Sequence, residues 1–66
     1  MSEKNEFVIM GGSNEYGGQV VNIKFEHNPD QEDLRRAAKH VDPSLPFGFR
    51  VIHQKDNYVT IKIHND

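Results

Sequence analysis

Two segments of the chain alternate between apolar and polar residues, which is the pattern of half-buried β-strands. They cover residues 19–27 and 58–64. We expect one apolar set to face the core, and its members are Val21, Ile23, Phe25, Val59, Ile61 and Ile63. The intervening residues, Lys24 and Lys62 among them, are expected on the opposite face of a sheet.

A different spacing, of three and four residues, marks residues 28–41 as a helix. One narrow apolar stripe is formed by Leu34, Ala37, Ala38 and Val41. Asn28 is expected to cap this helix, with Pro29 at its first position and Gln31 three residues after the cap. Acidic residues follow the start and basic residues precede the end, as the helix dipole favours.

The remaining segments are shorter. An unbroken apolar run, residues 7–10, suits a central strand that is covered on both faces. Residues 11–18 contain four of the five glycines and are expected to form a mobile loop with Tyr16 at its tip. The stretch 42–46 contains two prolines and cannot continue the helix. Leu45 and Phe47 are expected to turn inward and close the lower end of the core.

Residues 47–54 and 58–64 predict a second hairpin, and a two-residue turn at residues 56–57 sets its register. The expected cross-strand pairs are Gln54 with Val59, Ile52 with Ile61, and Arg50 with Ile63. This register sends Ile52 into the core. It leaves a mixed set on the opposite face, namely Phe49, Val51, His53, Tyr58, Thr60, Lys62 and His64.

The two halves of the chain also resemble each other. Residues 20–28 are similar to residues 58–65, and residues 7–9 are loosely similar to residues 49–52. Each half would then be one hairpin, and duplication of an ancestral hairpin is one interpretation. Convergence of two alternating strands is the other.

The order hairpin, helix, hairpin predicts an α+β domain in which one helix packs on one face of a four-stranded mixed sheet. In architecture, residues 6–64 resemble the β-grasp layout of the immunoglobulin-binding domains of protein G and, more distantly, of ubiquitin-like proteins. The resemblance implies that the first and last strands lie parallel in the centre of the sheet. Conjugation is not expected, since the chain ends in His64-Asn65-Asp66 rather than in Gly-Gly. Residues 6–66 would form a single domain and residues 1–5 a disordered tail.

A second, local resemblance covers the passage from the helix to the third strand. Its residues, Leu45-Pro46-Phe47-Gly48-Phe49-Arg50-Val51, follow a helix with an acidic start. They are similar to the corresponding passage of the small RNA-polymerase inhibitor of T7-like phages. This resemblance implies a phage-encoded inhibitor that docks on a host enzyme. The chain departs from that family in its additional strand and its glycine-rich loop.

Composition excludes several classes of protein. The chain has 66 residues, enough for one small domain, and it lacks cysteine, so no disulfide or thiolate metal site supports the core. It has no apolar run of membrane-spanning length and no signal-peptide pattern, so we expect a cytoplasmic protein. The net charge of -2 argues against a protein that binds chiefly by neutralising phosphates.

Catalytic and metal chemistry are not expected either. The four histidines match no metal-binding spacing, and no cysteine or carboxylate cluster completes a ligand set. The serines lie in a tail and in loops, without a neighbouring residue that would act as an activating base. The sequence therefore predicts no enzyme, no metal and no cofactor.

Binding of a protein partner is the main functional prediction. The expected contact residues are Phe49, Val51, Tyr58, Lys62, Lys24 and Tyr16. Such a module, encoded by a phage or a bacterium, would inhibit a larger host protein by docking through its exposed sheet face or an edge strand. One alternative is a single-stranded nucleic-acid binder with stacking aromatic residues and phosphate-binding lysines, which the net charge disfavours. The other alternative is a structural homodimer.

Overall fold

Four strands and one helix follow one another in the predicted order. The computed structural model describes residues 4–45 and 47–65. Its elements are β1 (Phe7–Glu15), β2 (Gly18–Phe25), α1 (Gln31–Val41), β3 (Phe49–Lys55) and β4 (Tyr58–His64). The strands form one sheet in the order β1-β2-β4-β3, and α1 packs on one face of it. The α+β class and the ββαββ layout, coarsely compatible with a β-grasp-like architecture, are confirmed.

The sheet is antiparallel throughout, so the prediction of a mixed sheet is wrong. Its two central strands are β2 and β4, whereas the resemblance implied a parallel first and last strand at the centre. β1, predicted to be central, is an edge strand in which every residue except Phe7 is exposed. The helix covers only one face of the sheet. The centre of such a sheet therefore suits strands with one apolar and one polar face, as β2 and β4 have, better than the continuous apolar run of β1.

The core lies between the sheet and α1. Its buried residues are Val21, Ile23, Phe25, Leu34, Ala37, Ala38, Val59, Ile61 and Ile63. This set contains all six apolar residues predicted from the alternating segments, so that prediction is confirmed. Val41 and Leu45 pack against the cluster as expected. Phe47 is exposed, so the prediction that it turns inward is wrong.

Helix α1 begins at Gln31, two residues after the predicted first position, and Asp30 rather than Asn28 is its N-cap. The Asp30 carboxylate accepts a hydrogen bond from the Asp33 backbone nitrogen at 2.8 Å. In return, the Asp33 carboxylate accepts one from the Asp30 backbone nitrogen at 3.1 Å. This reciprocal capping box satisfies two backbone donors at once, which fixes the start of the helix at Asp30.

Asn5 joins the segment before β1 to the start of the helix. Its buried side-chain nitrogen donates to the His27 backbone oxygen at 2.9 Å and to Asp33 Oδ2 at 3.2 Å. Its side-chain oxygen accepts from the His27 backbone nitrogen at 2.9 Å. The sequence predicted Asn5 to lie in a disordered tail, but these hydrogen bonds make it part of the folded domain. Residues 1–3 of that tail, and Pro46 of the predicted connector, lie outside the described residues.

The first hairpin is longer than the sequence predicted. β1 continues through the glycine-rich stretch to Glu15, and β2 starts at Gly18, so the prediction of a loop over residues 11–18 is wrong. Only Tyr16 and Gly17 form the turn. Gly17 has a φ of 85°, a left-handed conformation that glycine adopts without steric cost.

Each edge strand contains a β-bulge, and the two bulges fall at equivalent positions. The extra residue is Met10 in β1 and Ile52 in β3. The two hairpins are therefore related by an approximate twofold axis that passes between β2 and β4. This relation matches the internal resemblance of residues 7–9 to residues 49–52.

The bulge at Ile52 changes the register of the second hairpin. The observed pairs are Gln54 with Val59, Val51 with Ile61, Arg50 with Lys62, and Phe49 with Ile63. Only the first of these was predicted. A shift of one residue moves every side chain to the other face of a strand. The predictions that placed Ile52 in the core, and Phe49 and Val51 on the face away from the helix, are therefore wrong.

Candidate interaction surface

The face of the sheet opposite α1, which we call the outer face, is not covered by any element of the described chain. Its side chains form three cross-strand rows. Read from β2 across β4 to β3, these rows are Lys24-Tyr58-Lys55, Asn22-Thr60-His53 and Val20-Lys62-Arg50. Val8 of β1 extends the first row, since it lies opposite Lys24.

Tyr58 is the aromatic residue of these rows. It is 50% exposed, and the Lys24 Nζ atom lies 5.6 Å from the centroid of its ring. This distance is within the range of a cation–π contact, which holds the lysine side chain over the ring. The pair places a positive charge over one face of the half-exposed ring.

A shallow depression of about 270 Å³ lies next to Tyr58. Its lining is mostly apolar, and its polar groups include Thr60 and Asn22, whose side chains are joined by a hydrogen bond of 2.7 Å from the Thr60 hydroxyl to the Asn22 oxygen. Met10, the bulged residue of β1, and His53 line its sides. Met10, 59% exposed, and Tyr58 both line this depression, and Val8, 56% exposed, lies on the same face opposite Lys24.

Lys62 contacts the turn of the first hairpin. Its Nζ atom donates to the Tyr16 backbone oxygen at 3.0 Å. The Tyr16 side chain is 98% exposed at the end of the sheet. The lysine therefore links β4 to this turn across the outer face, and Val20, its partner on β2, is buried.

Positive charge is concentrated on one half of the outer face. The half formed by β3 and β4 carries Arg50, Lys55 and Lys62, and neither strand contains Asp or Glu. Helix α1, on the other side of the sheet, carries both signs, with Glu32 and Asp33 in its first turn and Arg35, Arg36 and Lys39 after them. The three rows of the outer face thus carry four cationic side chains and no carboxylate.

Of the six predicted contact residues, Lys24, Tyr58 and Lys62 lie together on the outer face, and Tyr16 lies at its end. Phe49 and Val51 lie on the helix side, where Phe49 packs against the core. Sequence reasoning missed Val8 and Met10, because it assigned them to a covered central strand. The sequence offered one hint of the equivalent bulges, namely the similar patterns Phe-x-Ile at residues 7–9 and Phe-x-Val at residues 49–51. By itself, this pattern does not indicate a bulge.

A second groove, of about 560 Å³, lies where β1 begins and β2 ends. Side chains of both charge signs line it, among them Lys4, Glu6, Glu26 and Arg36. Next to it, the backbone N–H of Asp30 lowers the pKa of Asp33 below its ordinary value of 3.8, with smaller contributions from Asn5 and Arg36. These groups connect the chain start to α1, and we assign them a structural role.

Residues 4–45 and 47–65 contain no group of three or more His, Asp or Glu side chains positioned to hold a metal ion. Within the same residues, no helix has the length and apolar character needed to cross a membrane. The chain matches no protein-family model, no curated protein and no solved structure.

Proposed function

We propose that the protein is a small non-catalytic binding module that docks on a larger protein through its outer face. The observation that carries the proposal is the exposure of Val8, Met10 and Tyr58 together on a face that the helix leaves open. Clustered apolar side chains rimmed by charged ones are typical of protein-docking surfaces. A module of this kind inhibits its partner when the docked surface overlaps a functional site of that partner.

The charge distribution favours a partner with an acidic surface. Arg50, Lys55 and Lys62 lie on the β3–β4 side of the apolar side chains, and Lys24 lies between Val8 and Tyr58. Complementary charges speed association and discriminate against partners of the same sign. The three cross-strand rows contain no Asp or Glu, so no carboxylate within them offsets these cations.

The same face supports a nucleic-acid partner less well. A single-strand binder relies on several aromatic rings on which successive bases stack. Tyr58 is the aromatic residue in the outer-face rows, because Phe49 packs against the core. A fluorescently labelled oligo(dT) strand is therefore expected to bind weakly or not at all.

The test compares two exposed tyrosines. The tagged protein is used to retain partners from a lysate treated with nuclease, and the affinity of the retained protein is then measured with purified components. Tyr58→Ala is expected to weaken binding at least tenfold, because buried tyrosines are frequent interface hot spots. Tyr16→Ala is the matched control, since Tyr16 lies in the turn and not in the outer-face rows.

Two results would contradict the proposal. If Tyr16→Ala weakens binding and Tyr58→Ala does not, the partner contacts the hairpin turn and not the outer face. If retention disappears with nuclease and oligo(dT) binds with a steep salt dependence, the module is a nucleic-acid binder.

A further inference from the structure

Edge strand β1 is unusually open for a strand with so much apolar surface. Three consecutive residues, Val8, Ile9 and Met10, are each more than 40% exposed. No charged residue occurs between Phe7 and Asn14. Natural proteins usually protect such edges with charged residues, because an open edge pairs readily with another strand.

The other edge strand is protected. β3 carries the two cationic residues Arg50 and Lys55 within seven residues, although its bulge lies at the same position as that of β1. Two copies of β3 paired side by side would bring these cations close together, which opposes association. The contrast between two otherwise equivalent strands identifies β1 as the edge that is available for pairing.

The backbone groups of β1 that point away from β2 can be assigned from the register. Glu6 accepts a hydrogen bond from the Glu26 backbone, so Glu6 faces β2 and Phe7 faces outward. Beyond the bulge the alternation shifts by one, so Gly12 and Asn14 face outward. A second strand can therefore bond to Phe7 and Ile9 on one side of Met10, and to Gly12 and Asn14 on the other.

We propose that the protein forms a symmetric homodimer in which β1 pairs antiparallel with β1 of a second copy. In this register Phe7 lies opposite Gly12 of the second copy. The outward-facing backbone N–H and C=O groups of Phe7 and Gly12 then face each other at both ends of the paired strands. Lys4 then lies opposite Glu15 of the second copy, and the twofold axis repeats this pair of opposite charges. A register shifted by two residues places Glu6 opposite Glu15 and is disfavoured by repulsion.

The dimer is closed and leaves the outer face open. Pairing through β1 uses the unprotected edge of both copies and leaves β3 at each end, so the sheet of eight strands does not grow further. The twofold axis runs through the sheet, so both α1 helices lie on one side and both outer faces on the other. The dimer does not depend on the proposed partner, and it makes the docking surface bivalent.

The first experiment introduces one lysine near the proposed axis and one on the other edge. Sedimentation velocity over a range of concentrations measures the monomer–dimer equilibrium of the purified chain. Ile9→Lys places two positive charges beside the axis and is expected to raise the dissociation constant at least tenfold. Val51→Lys is the matched control, because Val51 is 39% exposed and occupies the equivalent position before the bulge of β3. It is expected to leave the equilibrium unchanged.

A charge exchange tests the register. Lys4→Glu and Glu15→Lys are each expected to weaken the dimer about fivefold to tenfold, since each creates two pairs of like charges. The double variant restores opposite charges and is expected to recover most of the wild-type affinity. Circular dichroism of each variant establishes that the monomer remains folded.

Two results would overturn the proposed homodimer, and one would support it. A wild-type chain that stays monomeric at millimolar concentration overturns the proposal. So does a dimer that Val51→Lys weakens as much as Ile9→Lys does. A dimer that Ile9→Lys disrupts, and that the double charge exchange restores, supports both the edge and the register. None of these measurements involves the outer-face partner, so failure of the dimer is distinguishable from failure of the proposed function.

Discussion

Replacement of Asn5 tests how the chain segment before β1 is held to the domain. The Asn5 side chain makes three hydrogen bonds, two to the His27 backbone and one to the Asp33 carboxylate. A neutral hydrogen bond contributes about 0.5–1.5 kcal/mol and one to a charged group about 1.5–3 kcal/mol. His27 is exposed, so water can replace the lost bonds to its backbone. Asn5→Ala is therefore expected to lower the free energy of unfolding by about 1–3 kcal/mol.

Asn5→Asp is nearly the same shape and separates the hydrogen bonds from simple packing. A carboxylate at this position keeps the acceptor for the His27 N–H but loses both donated bonds. It also places a negative charge beside Asp33 Oδ2, which now lies 3.2 Å from the amide nitrogen. At neutral pH we expect Asn5→Asp to cost about 1–3 kcal/mol more than Asn5→Ala, because two adjacent carboxylates repel each other in a partly buried site.

Urea denaturation followed by circular dichroism measures both variants at pH 7 and near pH 3. Protonation of one carboxyl of the pair removes the repulsion, so the difference between the two variants should shrink as the pH falls. In thermal denaturation, a loss of 1 kcal/mol corresponds to about 4–8 °C for a domain of this size. An aspartate at position 5 that is no more destabilising than alanine at pH 7 would refute the assignment of Asn5 as a donor to Asp33.

Two further predictions concern the core and the pH dependence. Ile61→Ala should lower the free energy of unfolding by about 2–5 kcal/mol, since Ile61 is fully buried. Ile52→Ala should lower it by less than about 1 kcal/mol, because Ile52 is exposed. Equal losses for the two variants in urea denaturation would contradict the observed register. Asp33 has a lower pKa in the folded than in the unfolded chain, so it stabilises the fold above pH 4 and loses this contribution as the pH falls through its folded pKa. Asp33→Asn should therefore reduce the loss of unfolding free energy that occurs as the pH is lowered. An unchanged dependence of the unfolding free energy on acidic pH would show that other carboxyl groups determine it.

The sequence was sufficient for the helix and the two central strands, because each has one apolar side and a clear period. Val21, Ile23 and Phe25 fall on one face at spacing two, and Leu34, Ala37 and Ala38 fall on one stripe at spacings of three and four. These patterns reflect burial against a single opposing layer, and such burial is what sequence periodicity records.

The edge strands were not predictable in the same way. A bulge inserts one residue into a strand without any local sequence motif. The residues at Met10 and Ile52 therefore gave no sign of the shifts in strand register that occur there. The shift reversed the faces of Phe49 and Val51 and removed two of the expected contact residues from the outer face. The apolar run that begins at Phe7 was mistaken for a central strand, because apolar content alone does not distinguish a covered strand from an open edge.

The arrangement of the two hairpins also has a consequence for the order of folding. Each hairpin closes over a short turn, and isolated hairpins form in about 1–10 μs. The pairing of β2 with β4 is different, since Lys24 and Tyr58 meet only after the whole helical connection between them has been drawn together. Non-local contacts of this kind carry most of the loop-closure entropy and limit the folding rate. The speed at which this small domain folds should therefore be governed by the connection that carries α1, and much less by either turn.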